Sequence, residues 1–404
     1  MEHEPTQESK PAFRPFLSYQ QGPDAKHVDV LDGIRVLCIF LVGWFHIWQQ
    51  GWLTPHFDFH GETVSLDFLL RSGYLWVDGM LLLSGFLLYL PYTQAGSKLP
   101  AVGAFYKRRL IRILPSYLLC VLPMFVICCF QGRYLNTGDA LLDIFSHLTF
   151  THNLFYFSYL RSPLNGALWT LAVEMQFYLL FPFLARAFKK KPVITYGLMA
   201  GAAFAFRWYA STKPDTSMYF NQLPAFLDVY ANGFVAASVF AMLRKRLGNE
   251  PDRAIRLFFT ALMVVCVCEL MQICRGQAAE PSYPMIHQGQ MNRRFPLSAV
   301  LSCLMVSAAF SLPAMRFLLG NKVMHFLSLI SFQFYIYHQM LAVKLKEWHF
   351  PPSESAQPWM EDPRWQLTYT LCCFALALIL AILITFLFER PIARALRKKT
   401  KAEK

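Results

Sequence analysis

The sequence predicts an all-α polytopic membrane protein of about ten transmembrane helices, both termini cytoplasmic, on three observations. Of its 404 residues 55% are hydrophobic and 16% charged, whereas a soluble domain carries roughly a quarter charged residues. Apolar runs of about 18–24 residues recur along the chain, the length a helix needs to cross a hydrocarbon layer of roughly 30 Å. Lys and Arg are dense in every second connection, as the positive-inside rule requires of cytoplasmic loops.

The apolar runs fall near 34–53, 75–92, 113–130, 168–188, 192–210, 222–243, 255–274, 296–314, 324–344 and 366–388. Residues 139–160 are semi-apolar, with Asp143, His147 and His152, and read as an interfacial helix or re-entrant piece. The basic connections hold Lys98 with Lys107–Arg112, Arg186–Lys191, Arg244–Arg256 and Arg316/Lys322, followed by the tail after Glu389. The opposite connections are sparser, with Arg293 and Arg294 counted among their loop cations.

Three regions follow. Residues 1–30 are a polar cytoplasmic N-terminal segment, with Pro5, Pro11, Pro15 and Pro23 and no apolar stretch that would make a cleavable signal. Residues 31–391 form the transmembrane domain, whose first run serves as an uncleaved signal anchor, and 392–404 form a basic cytoplasmic tail. The net charge of +13 is explained by this topology rather than by nucleic acid, which is not an expected partner. The ten Cys show no CxxC or Cys/His metal spacing and read as small buried apolar residues, so no metal site is expected. Localisation in the plasma membrane as a multi-pass protein follows.

Charged groups inside a span are costly and mark function. Counted from the outer ends of their spans at about 1.5 Å per residue, His46, Glu174, Asp228 and His338 lie at a similar depth, roughly 10 Å down. Arg35 and His46 are eleven residues apart, a rotation of about 1100° or three turns, so both share one face of the first span, roughly 16 Å apart. Arg35 lies at the cytoplasmic end beside the run containing Arg108, Arg109 and Arg112.

That geometry suits a long phosphorylated acyl donor. Arginine grips phosphate through a planar fork of donors, an extended thioester arm reaches the buried imidazole, and acyl-CoA has this shape. His46 is then the general base for a hydroxyl, with Glu174 orienting its ring. Each residue also has a plainer reading. The arginines serve as positive-inside anchors, His46 packs as a hydrogen-bonded core residue, and Glu174, Asp228 and His338 bind neighbouring helices. The shared face and shared depth favour function, since independent structural residues need not align.

At these positions the chain resembles the acyltransferase-3 family of membrane O-acyltransferases. Leu31-Asp32-Gly33-Ile34-Arg35 is similar to its LDGLR start, and Arg35 with His46 fits its R-x10-H signature. Val77-Asp78-Gly79-Met80 through Leu83-Ser84-Gly85-Phe86 resembles VDLFFVLSGF, and Arg108 through Tyr117 resembles RRxxRIxPxY. Trp169 through Glu174, with Phe177, Tyr178 and Pro182, is similar to WSLAVE-xxFYLxxP. Ser331–His338 and Glu389-Arg390-Pro391 resemble SYxIYLxH and the closing ExP.

The resemblance implies about ten core helices, and transfer of acyl groups, usually acetyl from acetyl-CoA, to sugar hydroxyls of cell-envelope glycans or their lipid-linked precursors. The donor is a co-substrate, and no permanently bound cofactor is expected. The positions of Arg35, His46 and Glu174 are critical by this resemblance, and Asp78, Ser84, Trp169 and Tyr178 support the site. Gly79 and Met80 replace bulkier residues of the second-span motif, which is expected to widen a cavity there. With no SGNH-type hydrolase domain after the tenth span, the chain is expected to act on the acceptor itself or through a separate envelope-biosynthesis partner.

A transporter or flippase for a lipid-linked saccharide is the main rival. It would share the spans and buried ionisable groups, but would not need the Arg35–His46 spacing, and Gly/Pro-broken spans or internal repeats would be expected of it. A non-catalytic sensor on the same fold is the second rival. The long outer connections 54–74, 131–167 and 275–295 carry aromatics such as Phe155, Tyr156, Phe157 and Tyr159 that can stack on sugars or anchor at the interface.

Overall fold

A computed structural model gives the fold for residues 28–402, except 95, 98, 100 and 249, and describes side chains up to 396. Most of the polar N-terminal segment, Lys98 and the tail side chains from Arg397 onward therefore lie outside the described residues.

The elements in chain order are α1 (Val30–Gly51), a hairpin of β1 (His56–Phe59) and β2 (Glu62–Ser65), α2 (Asp67–Arg71), α3 (Trp76–Tyr89), α4 (Val102–Phe130) and α5 (Thr137–Leu148). Then come α6 (Trp169–Lys190), α7 (Pro192–Ser211), α8 (Leu227–Leu247), α9 (Arg253–Ala278) and α10 (Tyr283–Phe310). The chain closes with α11 (Pro313–Gly320), α12 (Lys322–Glu347), α13 (Pro358–Glu361), α14 (Pro363–Ile384) and α15 (Arg390–Ala402). Among the described residues the only sheet is the antiparallel hairpin, which pairs His56 with Ser65 and is exposed throughout.

Nine helical segments among the described residues are long and apolar enough to cross a membrane. Nine of the ten expected runs fall on them. The remaining run, 192–210, forms α7, a 20-residue helix outside that set. Thr195, Gly197, Gly201 and Arg207 lower its hydropathy. Two span boundaries also move. The basic run Lys107–Arg112 belongs to α4 itself, and α10 begins at Tyr283, so Arg293 and Arg294 are helical rather than loop cations. Residues 139–160 form the end of α5 and two short irregular turns, with Asp143, His147 and His152 buried.

α3 is the most buried spanning helix, while α9 and α14 turn most of their surface outward. Apolar burial does not drive helices together in lipid, where close packing of small residues and polar pairs replaces it. The main packing partners are α1 with α12, α3 with α8, and α9 with α10. Glycine permits close approach at one of these contacts and at the α1–α3 contact beside it. A Cβ on Gly43 would stand 2.7 Å from the Phe334 ring of α12. A Cβ on Gly79 would stand 2.7 Å from Cys38 Sγ of α1. Gly79 therefore brings α3 against α1 rather than widening a cavity, and only its neighbour Met80 lines one.

Candidate functional site

The α1–α12 contact places a histidine pair in the bundle. His46 Nδ1 lies 2.8 Å from His338 Nε2. His338 Nδ1 lies 2.7 Å from the Tyr335 carbonyl and 3.2 Å from that of Phe334. A carbonyl only accepts, so His338 Nδ1 carries a proton and its neutral ring presents Nε2 as acceptor. His46 Nδ1 must then donate. The pair thus leaves the lone pair of a neutral His46 on Nε2. His338 is fully buried whereas His46 is partly exposed.

Arg35 meets the same helix. Its Nη1 donates to Ser328 Oγ at 2.9 Å, and Ser328 Oγ donates to Asp32 Oδ1 at 2.8 Å. Arg35 and Asp32 pair at 3.7 Å, and His325 Nδ1 lies 2.9 Å from Asp32 Oδ2. Arg35 and His46 therefore both face α12, as three turns of spacing predict. Asp32, which the sequence marks only as part of a motif, anchors the cationic end.

A cavity of about 300 Å³ opens beside this face. Arg35, Arg109 and Arg112 supply its cations, with Ser84, Glu174, Tyr178, Thr170 and Tyr335 in its wall. Arg109 lies 5.6 Å from the Phe105 ring centre and 5.5 Å from that of Tyr178. Arg108 is exposed and does not line the cavity. Residues three apart share a helical face while neighbours diverge, which separates Arg109 and Arg112 from Arg108. The wall residue Tyr335 stands 5.4 Å, ring centre to ring centre, from His338.

Glu174 corrects the sequence reading. Its carboxylate accepts from Ser84 Oγ at 2.9 Å and from the Tyr178 hydroxyl. His46 does not donate to this carboxylate; its ring donates to His338. Thr170 Oγ1 donates to the Tyr335 hydroxyl at 2.6 Å, and that hydroxyl donates to the Ala167 carbonyl at 3.1 Å. Trp169 lies outside the cavity and stacks on Phe226 at 6.1 Å.

Asp78 and Asp228 do not join His46 either. Asp228 is buried and receives a two-pronged bond from Arg207 at 2.9 and 2.6 Å. Buried Asp78 pairs with Arg294 at 3.3 Å, and the Arg294 guanidinium sits 3.7 Å from the Phe226 ring centre. Both arginines also donate to the Ala225 carbonyl. A buried carboxylate needs a hydrogen-bonded cation, so these pairs bind α7 to α8 and α3 to α10. The shared depth of four polar groups resolves into a histidine pair, a cavity carboxylate and an ion-pair knot.

A second buried cluster lies beside α6. His147 Nδ1 is 3.1 Å from Asp143 Oδ1, and the His152 ring stacks on His147 at 4.1 Å. Tyr134 and Ser162 donate to Asp143 Oδ2 at 2.9 and 2.6 Å. Burial holds the His152 imidazole well below its ordinary value, and His147 beside it adds to the effect.

A family model described as an acyltransferase domain matches residues 28–389. The peptidoglycan O-acetyltransferase OatA of Listeria monocytogenes is 29% identical over 224 residues, covering 50% of this chain and 32% of its own length. A putative peptidoglycan O-acetyltransferase of Bacillus subtilis, YrhL, is 29% identical over 179 residues, covering 41% and 24%. The O-acetyltransferase OatA of Staphylococcus aureus is 29% identical over 192 residues, covering 44% and 29%. The matched part thus spans about a third or less of these relatives. No solved structure matches.

Proposed function

The chain belongs to the acyltransferase-domain family, and from that premise we propose that it is an integral membrane O-acyltransferase that moves an acyl group, acetyl by preference, from cytoplasmic acyl-CoA to a hydroxyl of a cell-envelope glycan. It is a multi-pass protein of the plasma membrane. Counting α7 as the tenth span, with its Arg207 neutralised by Asp228, returns both termini to the cytoplasm.

Arg35, Arg109 and Arg112 hold the donor's phosphates at the cavity mouth, and the thioester arm extends along the wall toward Tyr335. Ser84, Glu174 and Tyr178 shape that wall. Glu174 is a positioning residue of the cavity rather than the orienter of His46. The acceptor hydroxyl approaches from the outer side and gives its proton to His46 Nε2. Its oxygen attacks the thioester carbonyl, the C–S bond breaks, and the imidazolium returns the proton to the leaving thiolate. His338 keeps His46 in the tautomer this needs, much as a carboxylate does in other triads.

The observation that carries the reading is the chain from the Tyr335 carbonyl through His338 to His46, which leaves a lone pair on Nε2. Transfer of labelled acetyl from acetyl-CoA to purified glycan by the reconstituted protein tests it. A stoichiometric acyl-histidine in rapid quench would replace direct attack with a two-step route through the same atom.

A further inference from the structure

The end of the bundle that holds His46 also holds a crevice of about 270 Å³. Contacts connect the two regions. Phe45 lies 5.0 Å from the Tyr74 ring, Gln277 Nε2 donates to the Tyr74 hydroxyl at 2.6 Å and to the Ile286 carbonyl at 2.9 Å, and His287 follows. Lys213, Asp215 and Thr216 of the α7–α8 connection line one side of the crevice. Tyr283, His287 and Gln288 of α10 line the other.

The walls are fixed. His287 stacks on Phe220 at 4.1 Å, meets Tyr283 edge-on at 4.2 Å, and lies 3.0 Å from Thr216 Oγ1. Tyr283 is nevertheless 63% exposed. The Asp215 carboxylate accepts from the Ser217 N–H at 2.8 Å, and bonds to Ser217 hold it below the usual carboxylate range. Lys213 lies 4.2 Å over the Tyr209 ring.

A carboxylate, an ammonium, an amide and a hydroxyl thus surround a crevice with an exposed aromatic ring. An anion would require surplus cations, but Asp215 offsets Lys213. A lipid tail would gain from Pro214, Pro284 and Met285 but would leave the charges of Lys213 and Asp215 facing hydrocarbon. A sugar ring has an apolar C–H face and a rim of hydroxyls that both donate and accept. The volume lies near the lower end of ligand pockets, about 300 Å³, which suits one sugar unit.

We propose that this crevice binds a sugar unit of the acceptor glycan and so presents a neighbouring hydroxyl toward His46. The proposal rests on the O-acyltransferase reading. Saturation-transfer NMR on the purified full chain in micelles tests it, with chitobiose, maltose and cellobiose as probes. At least one disaccharide is expected to show transfer with wild type. The exposed-residue double variant Tyr283→Ala/Asp215→Asn should weaken it roughly tenfold or more, from loss of a charged hydrogen bond and the ring face. Absence of transfer for all three, or an undiminished signal in the folded double variant, overturns the crevice assignment even where acyl transfer persists. Sugar binding that persists in a protein inert toward acyl-CoA upholds the crevice and overturns the enzymatic reading instead.

Discussion

His46 Nδ1 lies 2.8 Å from His338 Nε2, and a carbonyl behind His338 decides which ring donates. Imidazole–imidazole pairing needs no buried charge, which suits a site at membrane depth where an unpaired carboxylate would be costly. It also sets His338 apart from a packing residue, since its two nitrogens have opposite duties.

Replacement of His338 by Phe retains the ring stack but removes the acceptor for the His46 proton. It should lower kcat by roughly 10²–10⁴-fold, the range for lost acid–base alignment, and leave KM for acetyl-CoA unchanged. Steady-state kinetics in proteoliposomes reads both. A purely structural His338 would instead lower thermal stability without this kcat-specific loss.

The cavity geometry separates neighbouring arginines. Arg35→Gln, Arg109→Gln and Arg112→Gln should each raise KM for acetyl-CoA by roughly 10–100-fold, the value of a hydrogen bond to a charged group. Arg108→Gln should behave as wild type because its side chain does not line the cavity. Donor titrations at low salt check the contrast, and equal effects at Arg108 and Arg109 would contradict the placement.

Arg207 and Asp228 make the case for a structural pair. Asp228→Ala should cost about 3–5 kcal/mol by leaving a buried guanidinium unpaired, seen as a large drop in melting temperature. The double variant Arg207→Met/Asp228→Leu should recover much of it. Activity per folded molecule should change little, and a selective loss of turnover at normal stability would return Asp228 to the site.

His152 gives a pH signature. Its imidazole is held well below the ordinary histidine value, so the unfolded chain takes up the proton first as pH falls. Its stability contribution is complete above about pH 6.5 and is lost on acidification below that. The slope is at most about 1.4 kcal/mol per pH unit for one proton. Melting curves between pH 7.5 and 5.5 should be flatter for His152→Phe than for wild type. Parallel curves would show that His152 titrates normally.

Sequence reading succeeded where one helix sufficed. Three turns of spacing put Arg35 and His46 on a common face, and both meet α12. The expectation failed where neighbouring helices decide. Depth along a span is one coordinate, and it cannot distinguish Glu174 in the cavity wall from His338 beside His46. Arg294 reads as a loop cation because His287, Gln288, Gln290 and Asn292 make the start of α10 polar. Its pairing with Asp78, with the Phe220 carbonyl and the Phe226 ring beside it, explains how it is buried. Arg207 is a lone cation inside an apolar run, a pattern that signals a buried carboxylate partner, here Asp228. The exposed hairpin 56–65 puts Phe57, Phe59 and Val64 on one face, but strands of four residues each are too short for that alternation to mark them.

The central claim concerns His46 itself. The most direct test is transfer of labelled acetyl from acetyl-CoA to envelope glycan by purified His46→Ala protein, measured beside its thermal stabilisation by acetyl-CoA. The predicted result is unchanged stabilisation with transfer reduced to background. Transfer at the wild-type rate by the stably folded variant would contradict the account.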